Sequence, residues 1–285
     1  MPRFQKVYLE ITNRCNLACS FCPGTRRPAR IMSPAEFDLL AGKLRPFTDF
    51  LYLHVMGEPL LHPALCEILD GAHTHGFKVA ITTNGTLFER CAPMLYAHAC
   101  APLYKLSLSL HAYEANGRFL PGEAFDRTME LCRGLGDKGV ITVLRLWNLE
   151  GRADGARNAD NGAILEALHR AFPGEWTPNR GGPRIGHGVY LEWGEKFDWP
   201  NLSALDFGDA CRCFGLRDQL GVLCDGTVVP CCMDGEGVIA LGNLFSSSVE
   251  EILASPRAVA IEEGFSRARA VEPLCRRCGF ARRDK

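Results

Sequence analysis

Short apolar runs alternate with longer helical patterns through the first two-thirds of the chain, and this alternation restricts the fold most strongly. The apolar runs cover residues 7–12, 50–55, 78–82, 105–110, 140–146 and 188–192. Segments 34–44, 63–75, 88–98, 125–138 and 163–171 between them predict helices. Strand–helix alternation of this kind predicts a parallel sheet with right-handed crossovers. Because a complete barrel of this type needs about eight units, we expect an α/β fold with a partial, six-stranded TIM-like barrel that is open on one side.

Composition narrows the class of protein. The 285 residues are 47% hydrophobic and 23% charged, which is typical of a globular protein with a substantial core. The net charge of −1 gives no reason to expect a nucleic-acid or anionic-membrane partner. We find no apolar stretch long enough for a membrane span and no signal-peptide pattern at the N-terminus, so we expect a cytoplasmic protein.

Three cysteines, Cys15, Cys19 and Cys22, follow the first apolar run within a polar segment. Thiolates are the usual ligands of iron–sulfur clusters, and three of them would leave one iron of a 4Fe–4S cluster open to a small chelating molecule. Core cysteines would not be expected among so many polar neighbours. A zinc site normally uses paired cysteines with a fourth ligand close by. The spacing therefore favours a cluster with an open iron.

A second set of cysteines begins after residue 205, where the composition changes. Segments 220–223 and 228–230 flank Asp225-Gly226, which predicts a β-hairpin. A closed metal site needs four ligands, and the predicted set contains Cys213, Cys231, Cys275 and Cys278, with Cys211 as an alternative to Cys213. Spacing alone is compatible with zinc or with iron–sulfur. We therefore expect a barrel domain over residues 1–205 and a small cysteine-rich domain, a hairpin plus a helix, over residues 206–285.

The carboxyl ends of parallel strands carry the chemistry of barrel enzymes, so polar residues there are candidates. After the second run, Gly57 allows a close backbone approach and Glu58 can accept a hydrogen bond from an ammonium group. Arg145 in the fifth run suits a carboxylate of a cofactor or substrate, or else a buried ion pair with a protein carboxylate. His111, after the fourth run, is expected to be a surface histidine.

The first cysteine segment, with aromatic Phe21 before Cys22, resembles the signature of the radical S-adenosylmethionine (SAM) enzymes. In that family the open iron binds the amino and carboxylate groups of SAM. One electron from the cluster cleaves SAM, and the resulting 5′-deoxyadenosyl radical abstracts a hydrogen atom from the substrate. The resemblance also implies an external electron donor of the flavodoxin or ferredoxin type.

The same resemblance implies roles for residues at other strand ends. The stretch Gly57-Glu58-Pro59 is similar to the family's Gly-Gly-Glu motif, which contacts the SAM amino group, although Met56 replaces the first glycine. Asn84 lies in a stretch that resembles a Thr-Asn-Gly segment beside the SAM site. Ser109 resembles a serine that contacts the SAM ribose or carboxylate.

The C-terminal cysteines resemble the twitch module, a shortened SPASM domain that holds one auxiliary 4Fe–4S cluster. This resemblance rests on Gly226, Cys231 and the pair Cys275–Cys278. It implies an auxiliary cluster that can accept an electron from the substrate. The remaining cysteines Cys232 and Cys224 could return a hydrogen atom to a substrate radical, as in radical SAM peptide epimerases, or could be inert buried thiols.

Three functions are compatible with these features. The first is oxidation or modification of a ribosomal peptide, by cross-linking or epimerisation. The second is dehydrogenation of a small aminocyclitol or sugar-type alcohol, as in a twitch-containing dehydrogenase of similarly short build. The third is a non-catalytic zinc-binding interaction protein.

Overall fold

The computed structural model describes residues 4–114, 122–147, 161–194 and 196–282. By chain contacts it consists of two compact units. The first contains residues 1–15, 23–78 and 197–285, and the second contains residues 16–22 and 79–196. The C-terminal residues therefore group with the first part of the chain, and the predicted domain boundary at residue 205 stays a prediction.

The elements follow in the order that the alternation predicts. In chain order the strands are β1 (Lys6–Leu9), β2 (Phe50–Tyr52), β3 (Lys78–Thr83), β4 (Leu103–Ser109), β5 (Ile141–Trp147), β6 (Arg184–Gly186), β7 (Val189–Gly194), β8 (Gln219–Val222), β9 (Thr227–Val229) and β10 (Gly242–Asn243). The α-helices are α1 (Pro34–Leu44), α2 (Leu65–Thr74), α3 (Phe88–Ala97), α4 (His111–Glu114), α5 (Glu123–Asp137), α6 (Asn161–Ala171), α7 (Val249–Leu253), α8 (Pro256–Ser266) and α9 (Pro273–Arg276).

Helix α1 shows how local sequence sets these elements. Ser33 accepts a hydrogen bond from the backbone of Glu36, and the Glu36 carboxylate accepts one from the backbone of Ser33, which forms a capping box. The apolar residues Phe37, Leu40, Ala41 and Leu44 recur at helical spacing, and all four are buried. The helix consequently begins and ends where its sequence pattern does.

Strands of the first unit lie in the order β10-β9-β8-β1-β2. Strand β1 is parallel to both neighbours, with Val7 opposite Leu51 of β2 and Leu220 of β8. The predicted hairpin is confirmed, because β8 and β9 are antiparallel around a turn in which Gly226 has φ +83°. The parallel pairing of β8 with β1 was not predicted, and it joins the cysteine-rich segment to the first strand.

Strands of the second unit lie in the order β3-β4-β5-β7-β6. All neighbours from β3 to β7 are parallel, and the short β6 is antiparallel to β7. Leu106, Leu108, Leu144 and Leu191 lie on one face of this sheet and are at most 1% exposed. The predicted α/β class and parallel strands are thus confirmed. In the part of the chain that the structure describes, no helix has the length and apolar character needed to cross a membrane.

Candidate functional site

The loop between β1 and α1 carries Cys15, Cys19 and Cys22, and its base is fixed by hydrogen bonds. The Thr12 hydroxyl donates to the Arg30 carbonyl over 2.9 Å, and the Asn13 amide donates to the Pro28 carbonyl over 2.9 Å. Both anchoring side chains are buried, whereas Cys15 and Cys22 are exposed and Cys19 is half-buried. A rigid base with accessible thiols suits a metal-binding loop.

Gly57 packs directly against the backbone that precedes Cys15. It has φ +78°, and a Cβ atom there would lie 2.9 Å from the Arg14 carbonyl oxygen and against that of Thr12. The backbone N–H of Glu58 donates to the Arg14 carbonyl over 2.8 Å. The close approach predicted for Gly57 is therefore present, and it brings the Gly-Glu-Pro segment against the start of the cysteine loop.

The Glu58 carboxylate is only 2% exposed and caps a short 3₁₀ helix by accepting a hydrogen bond from the Leu60 N–H over 3.0 Å. This contact fixes the orientation of the side chain. The contact with a SAM amino group stays a prediction.

Glu10 is the central polar group of the first unit, and the sequence reasoning missed it. Its carboxylate is fully buried and pairs with Arg27, with 2.7 Å between Oε1 and Nη2. It also accepts hydrogen bonds from the backbone N–H groups of Met56 and Cys224, each over 3.0 Å. Arg27 in turn donates to the Gly235 carbonyl over 2.7 Å. One carboxylate thus connects β1, the cysteine loop, the Gly-Glu-Pro segment and the C-terminal segment.

Asn84 holds the next part of the cysteine loop, within the second unit. Its amide donates to the Asn16 side chain over 3.0 Å, and the Asn16 amide donates to the Thr86 hydroxyl over 2.7 Å. The Asn84 side chain also accepts hydrogen bonds from Thr86. The observed role of Asn84 is therefore to position the loop residue that follows Cys15, and its contact with SAM stays a prediction.

Phe21 anchors the end of the loop on aromatic residues at the ends of β4 and β5. Its ring centroid lies 4.6 Å from that of Trp147 and 5.0 Å from that of His111. The His111 ring stacks on Trp147 at 4.2 Å and 9°. Because Phe21 precedes Cys22, this cluster sets the position of the last thiol.

The surface location predicted for His111 is wrong, since its ring is only 5% exposed. Burial, together with the positive charge of Arg145, lowers the pKa of His111 to about 3. The neutral ring donates from Nδ1 to the Arg145 carbonyl over 3.1 Å. His111 is thus a packing residue of the aromatic cluster.

Ser109, Arg145 and Glu192 form a row across three neighbouring strands, because Arg145 is opposite Ser109 on β4 and opposite Glu192 on β7. The Arg145 Nε donates to Glu192 Oε1 over 3.1 Å, and the two side chains are 33% and 42% exposed. Arg145 therefore forms an ion pair with a protein carboxylate, which is the second of its two predicted roles, although the pair is not fully buried. Binding of SAM by Ser109 or Arg145 stays a prediction.

A small cavity in the first unit is lined by five cysteines of the C-terminal segment. The cysteines that line it are Cys211, Cys213, Cys231, Cys275 and Cys278. Burial raises the pKa of both Cys231 and Cys275, and the nearby Cys213 thiol contributes in each case. So many thiols around one cavity are a donor set for a thiolate-bound metal centre. The four predicted ligands are brought together, and Cys211 is the fifth thiol.

The two candidate hydrogen donors have different surroundings. Cys224 is 1% exposed, and burial and the Glu10 carboxylate raise its pKa to about 12. Cys232 is half-buried and accepts a hydrogen bond from the Tyr8 hydroxyl; burial raises its pKa to about 11. Both are therefore neutral thiols near pH 7, and Cys232 is the more accessible.

Comparison with known proteins identifies the family. A sequence profile of the Radical SAM superfamily matches residues 9–158, and a profile of the SPASM iron–sulfur cluster-binding domain matches residues 211–279. The chain belongs to the radical SAM superfamily. A radical SAM protein is an enzyme that uses a 4Fe–4S cluster and SAM, and the SPASM domain adds iron–sulfur binding. The alternative of a non-catalytic zinc-binding protein is therefore wrong.

Several curated radical SAM proteins resemble the chain over part of its length. A probable GTP 3′,8-cyclase of Methanocaldococcus jannaschii is 34% identical over 95 residues, which are 32% of this chain and 32% of that protein. The subtilosin biosynthesis protein AlbA of Bacillus subtilis is 27% identical over 272 residues, which are 87% of this chain and 59% of AlbA. The chain thus spans less than two-thirds of each of these relatives.

Solved structures confirm the partial-barrel fold of the radical SAM family. BtrN in complex with AdoMet and 2-DOIA aligns with a TM-score of 0.62 and 18% identity, over 98% of this chain and 94% of that one. Streptococcus suis SuiB bound to precursor peptide SuiA aligns with a TM-score of 0.60 and 12% identity, over 98% of this chain and 72% of that one. At these identities the likeness concerns the fold.

Proposed function

We propose that the protein modifies a ribosomally made peptide, by forming a cross-link or by epimerising a residue. The observation that carries this proposal is the alignment with AlbA, which runs through both the barrel and the SPASM region. AlbA is named for the biosynthesis of a bacteriocin. The fold shared with SuiB, whose structure holds a precursor peptide, agrees with it. An external flavodoxin or ferredoxin would supply the electron that the reaction needs.

The bound cluster and SAM would supply a carbon radical that removes a hydrogen atom from the substrate. The role of the chain is to hold these groups. Cys15, Cys19 and Cys22 are the proposed ligands of the first cluster, on a loop whose two ends are fixed through Gly57 and Phe21. Glu58 and Asn84 are proposed to contact SAM.

The proposed ligands of the single auxiliary cluster are Cys213, Cys231, Cys275 and Cys278. The support for one cluster is that the four proposed ligands line one cavity, together with Cys211. Loss of two hydrogen atoms from the substrate requires an acceptor for the second electron, and a fully ligated cluster can take it.

Oxidation of an aminocyclitol or sugar-type alcohol is the second candidate. The observation that favours it is size, because the alignment with BtrN covers 94% of that chain. A peptide maturase and a small-alcohol dehydrogenase share the first steps of the reaction, so the two functions are distinguished by the substrate that is consumed.

The test is anaerobic co-expression with a short peptide encoded beside the gene, followed by mass spectrometry of the peptide. We expect loss of hydrogen atoms, or uptake of solvent deuterium, in the peptide. Cys19→Ala is the control and should abolish SAM cleavage while the auxiliary cluster remains. Cys278→Ala should keep SAM cleavage but lose the product. Unmodified peptides, together with oxidation of an aminocyclitol by the purified enzyme, would overturn the peptide assignment in favour of the second candidate.

A further inference from the structure

Two arginines separate the paired thiols near the C-terminal end of the first unit. Arg276 and Arg277 are the two residues between Cys275 and Cys278, and both thiols line the cavity of the proposed auxiliary cluster. The backbone turns tightly here, since the Cys278 N–H donates to the Cys275 carbonyl over 3.4 Å. Arginine stays protonated in proteins. The short spacing therefore keeps two positive charges close to the group that these thiols bind.

Asp206 pairs with both of these arginines. The Arg276 Nε donates to Asp206 Oδ1 over 3.1 Å, and Arg276 Nη2 lies 3.0 Å from Oδ2. Arg277 Nη1 lies 3.3 Å from the same Oδ2 atom. A bidentate arginine–carboxylate pair is charge-assisted and geometrically specific. One carboxylate thus faces two cations, and the three side chains together carry a net positive charge.

Backbone hydrogen bonds hold Asp206 in this position. The Gly208 N–H donates to Asp206 Oδ1 over 2.8 Å, and the Phe207 N–H donates to the Arg276 carbonyl over 3.0 Å. The hydrogen bond from Gly208, together with the Arg276 guanidinium, lowers the pKa of Asp206. Asp206 is consequently a carboxylate at neutral pH, on a segment that is joined directly to the turn between the two thiols.

Two further ion pairs of the C-terminal segment are matched one to one. Arg269 donates from Nη2 to Asp209 over 2.6 Å, and Arg257 donates from Nε to Glu272 over 2.7 Å. Each of these pairs sums to zero charge. The group around Asp206 differs, because its single carboxylate offsets only one of two cations. A change of charge at Asp206 therefore changes the excess positive charge beside the thiols.

We propose that Asp206 sets the reduction potential of the auxiliary cluster by offsetting the charges of Arg276 and Arg277. The inference rests on the proposed ligands Cys275 and Cys278. Reduction adds negative charge to a cluster, so positive charge nearby favours the reduced form and negative charge nearby disfavours it. Asp206 acts through the two arginines, so its role is that of a positioning residue.

The size of the effect follows from Coulomb's law. At an effective dielectric constant of roughly 40, a unit charge about 10 Å away changes the equilibrium constant for reduction about 4-fold. For a one-electron couple this corresponds to about 36 mV. Asp206 thereby determines how strongly the auxiliary cluster holds the electron that it takes from the substrate.

The test is a redox titration of the reconstituted enzyme, followed by electron paramagnetic resonance. The signal that remains in Cys19→Ala identifies the auxiliary cluster. We expect Asp206→Asn to raise its midpoint potential by about 36 mV and Arg276→Gln to lower it by a similar amount. The double variant should return close to the unaltered value. Asp49→Asn is the matched control and should leave the potential unchanged, because Asp49 pairs with Arg45 at a similar exposure but outside the cavity lining.

Opposite shifts in the two single variants distinguish a charge effect from a structural one, since loosening of the turn would move both potentials in the same direction. The shift in Asp206→Asn should also become smaller in 1 M salt, where the Debye length is about 3 Å. Equal potentials in the unaltered enzyme and in both single variants overturn the inference. Loss of iron from Asp206→Asn, with an unchanged potential in the clusters that remain, also overturns it.

These measurements use no substrate, so they separate the inference from the proposed function. Equal potentials in an enzyme that modifies a peptide overturn the role of Asp206 and leave the function in place. The expected shifts, together with an auxiliary signal that survives in Cys278→Ala, support the charge effect and contradict the proposed ligand set. The expected shifts in an enzyme that modifies no peptide support the role of Asp206 and contradict the peptide function.

Discussion

Glu10 and Arg27 form an ion pair with 2.7 Å between Oε1 and Nη2, in which the carboxylate is fully buried and the arginine side chain is 12% exposed. Glu10→Gln would leave the buried guanidinium without its counter-charge. Removing one partner of a buried pair costs about 3–5 kcal/mol. We expect the free energy of unfolding to fall by this amount in anaerobic urea titrations followed by circular dichroism.

The matched control is Glu263→Gln. At the C-terminal end of α8, Glu263 pairs with the capping residue Arg267 over 3.6 Å, with side chains 61% and 74% exposed. An exposed pair of this spacing contributes about 0.3–0.5 kcal/mol. Equal losses in the two variants would show that the Glu10 network does not stabilise the first unit.

Sequence patterns predicted the strands and helices because these depend on local periodicity and caps. They also predicted the close backbone approach at Gly57, since a glycine after a strand indicates such an approach. The hydrogen bond between Glu10 and the Cys224 backbone was not predicted, because the two residues are 214 positions apart along the chain. A signal did exist: a glutamate inside the apolar run 7–12 must be paired if it is buried. The stacking of His111 on Trp147 likewise depends on the register of two strands, which the sequence does not specify.

Gly57→Ala tests the close approach beside the cysteine loop. A non-glycine residue at positive φ costs about 1–2 kcal/mol, and the added Cβ would also push Glu58 away from Arg14. We expect the dissociation constant for SAM, measured by equilibrium dialysis of the anaerobic enzyme, to rise at least about 10-fold. The control is Gly208→Ala, where φ is +81° but no atom lies within 4 Å of the added Cβ. SAM affinity that falls equally in both variants would indicate general destabilisation.

Cys213→Ser and Cys211→Ser distinguish the two candidate auxiliary ligands. The Cys213 thiol contributes to the raised pKa of both Cys231 and Cys275, and its contribution at Cys275 is larger than that of Cys211. We therefore expect Cys213→Ser to lose about four irons per protein and Cys211→Ser to keep them. Iron analysis and electron paramagnetic resonance of the reduced enzyme measure this. The reverse pattern would assign the ligand to Cys211.

Cys232→Ala tests hydrogen return in the case of epimerisation. The half-buried Cys232 thiol beside Tyr8 is a better donor candidate than Cys224, which is enclosed by Glu10 and Arg27. In deuterated water we expect Cys232→Ala to form 5′-deoxyadenosine but no deuterated peptide, and Cys224→Ala to form both. Unchanged deuterium uptake in Cys232→Ala would exclude it as the donor.

His111→Gln tests the buried neutral ring at the start of α4. The pKa of His111 is about 3 in the folded protein and about 6.5 in the unfolded chain. The unfolded chain therefore takes up a proton that the folded protein does not as pH falls below about 6.5, and the stability from this residue decreases toward acid. Between pH 7.5 and 5.5 this amounts to about 1.4 kcal/mol. We measure the free energy of unfolding by urea titration at these two pH values, and we expect the decrease toward pH 5.5 to be about 1.4 kcal/mol smaller in His111→Gln than in the unaltered protein. An identical decrease in both proteins would contradict the neutral buried state.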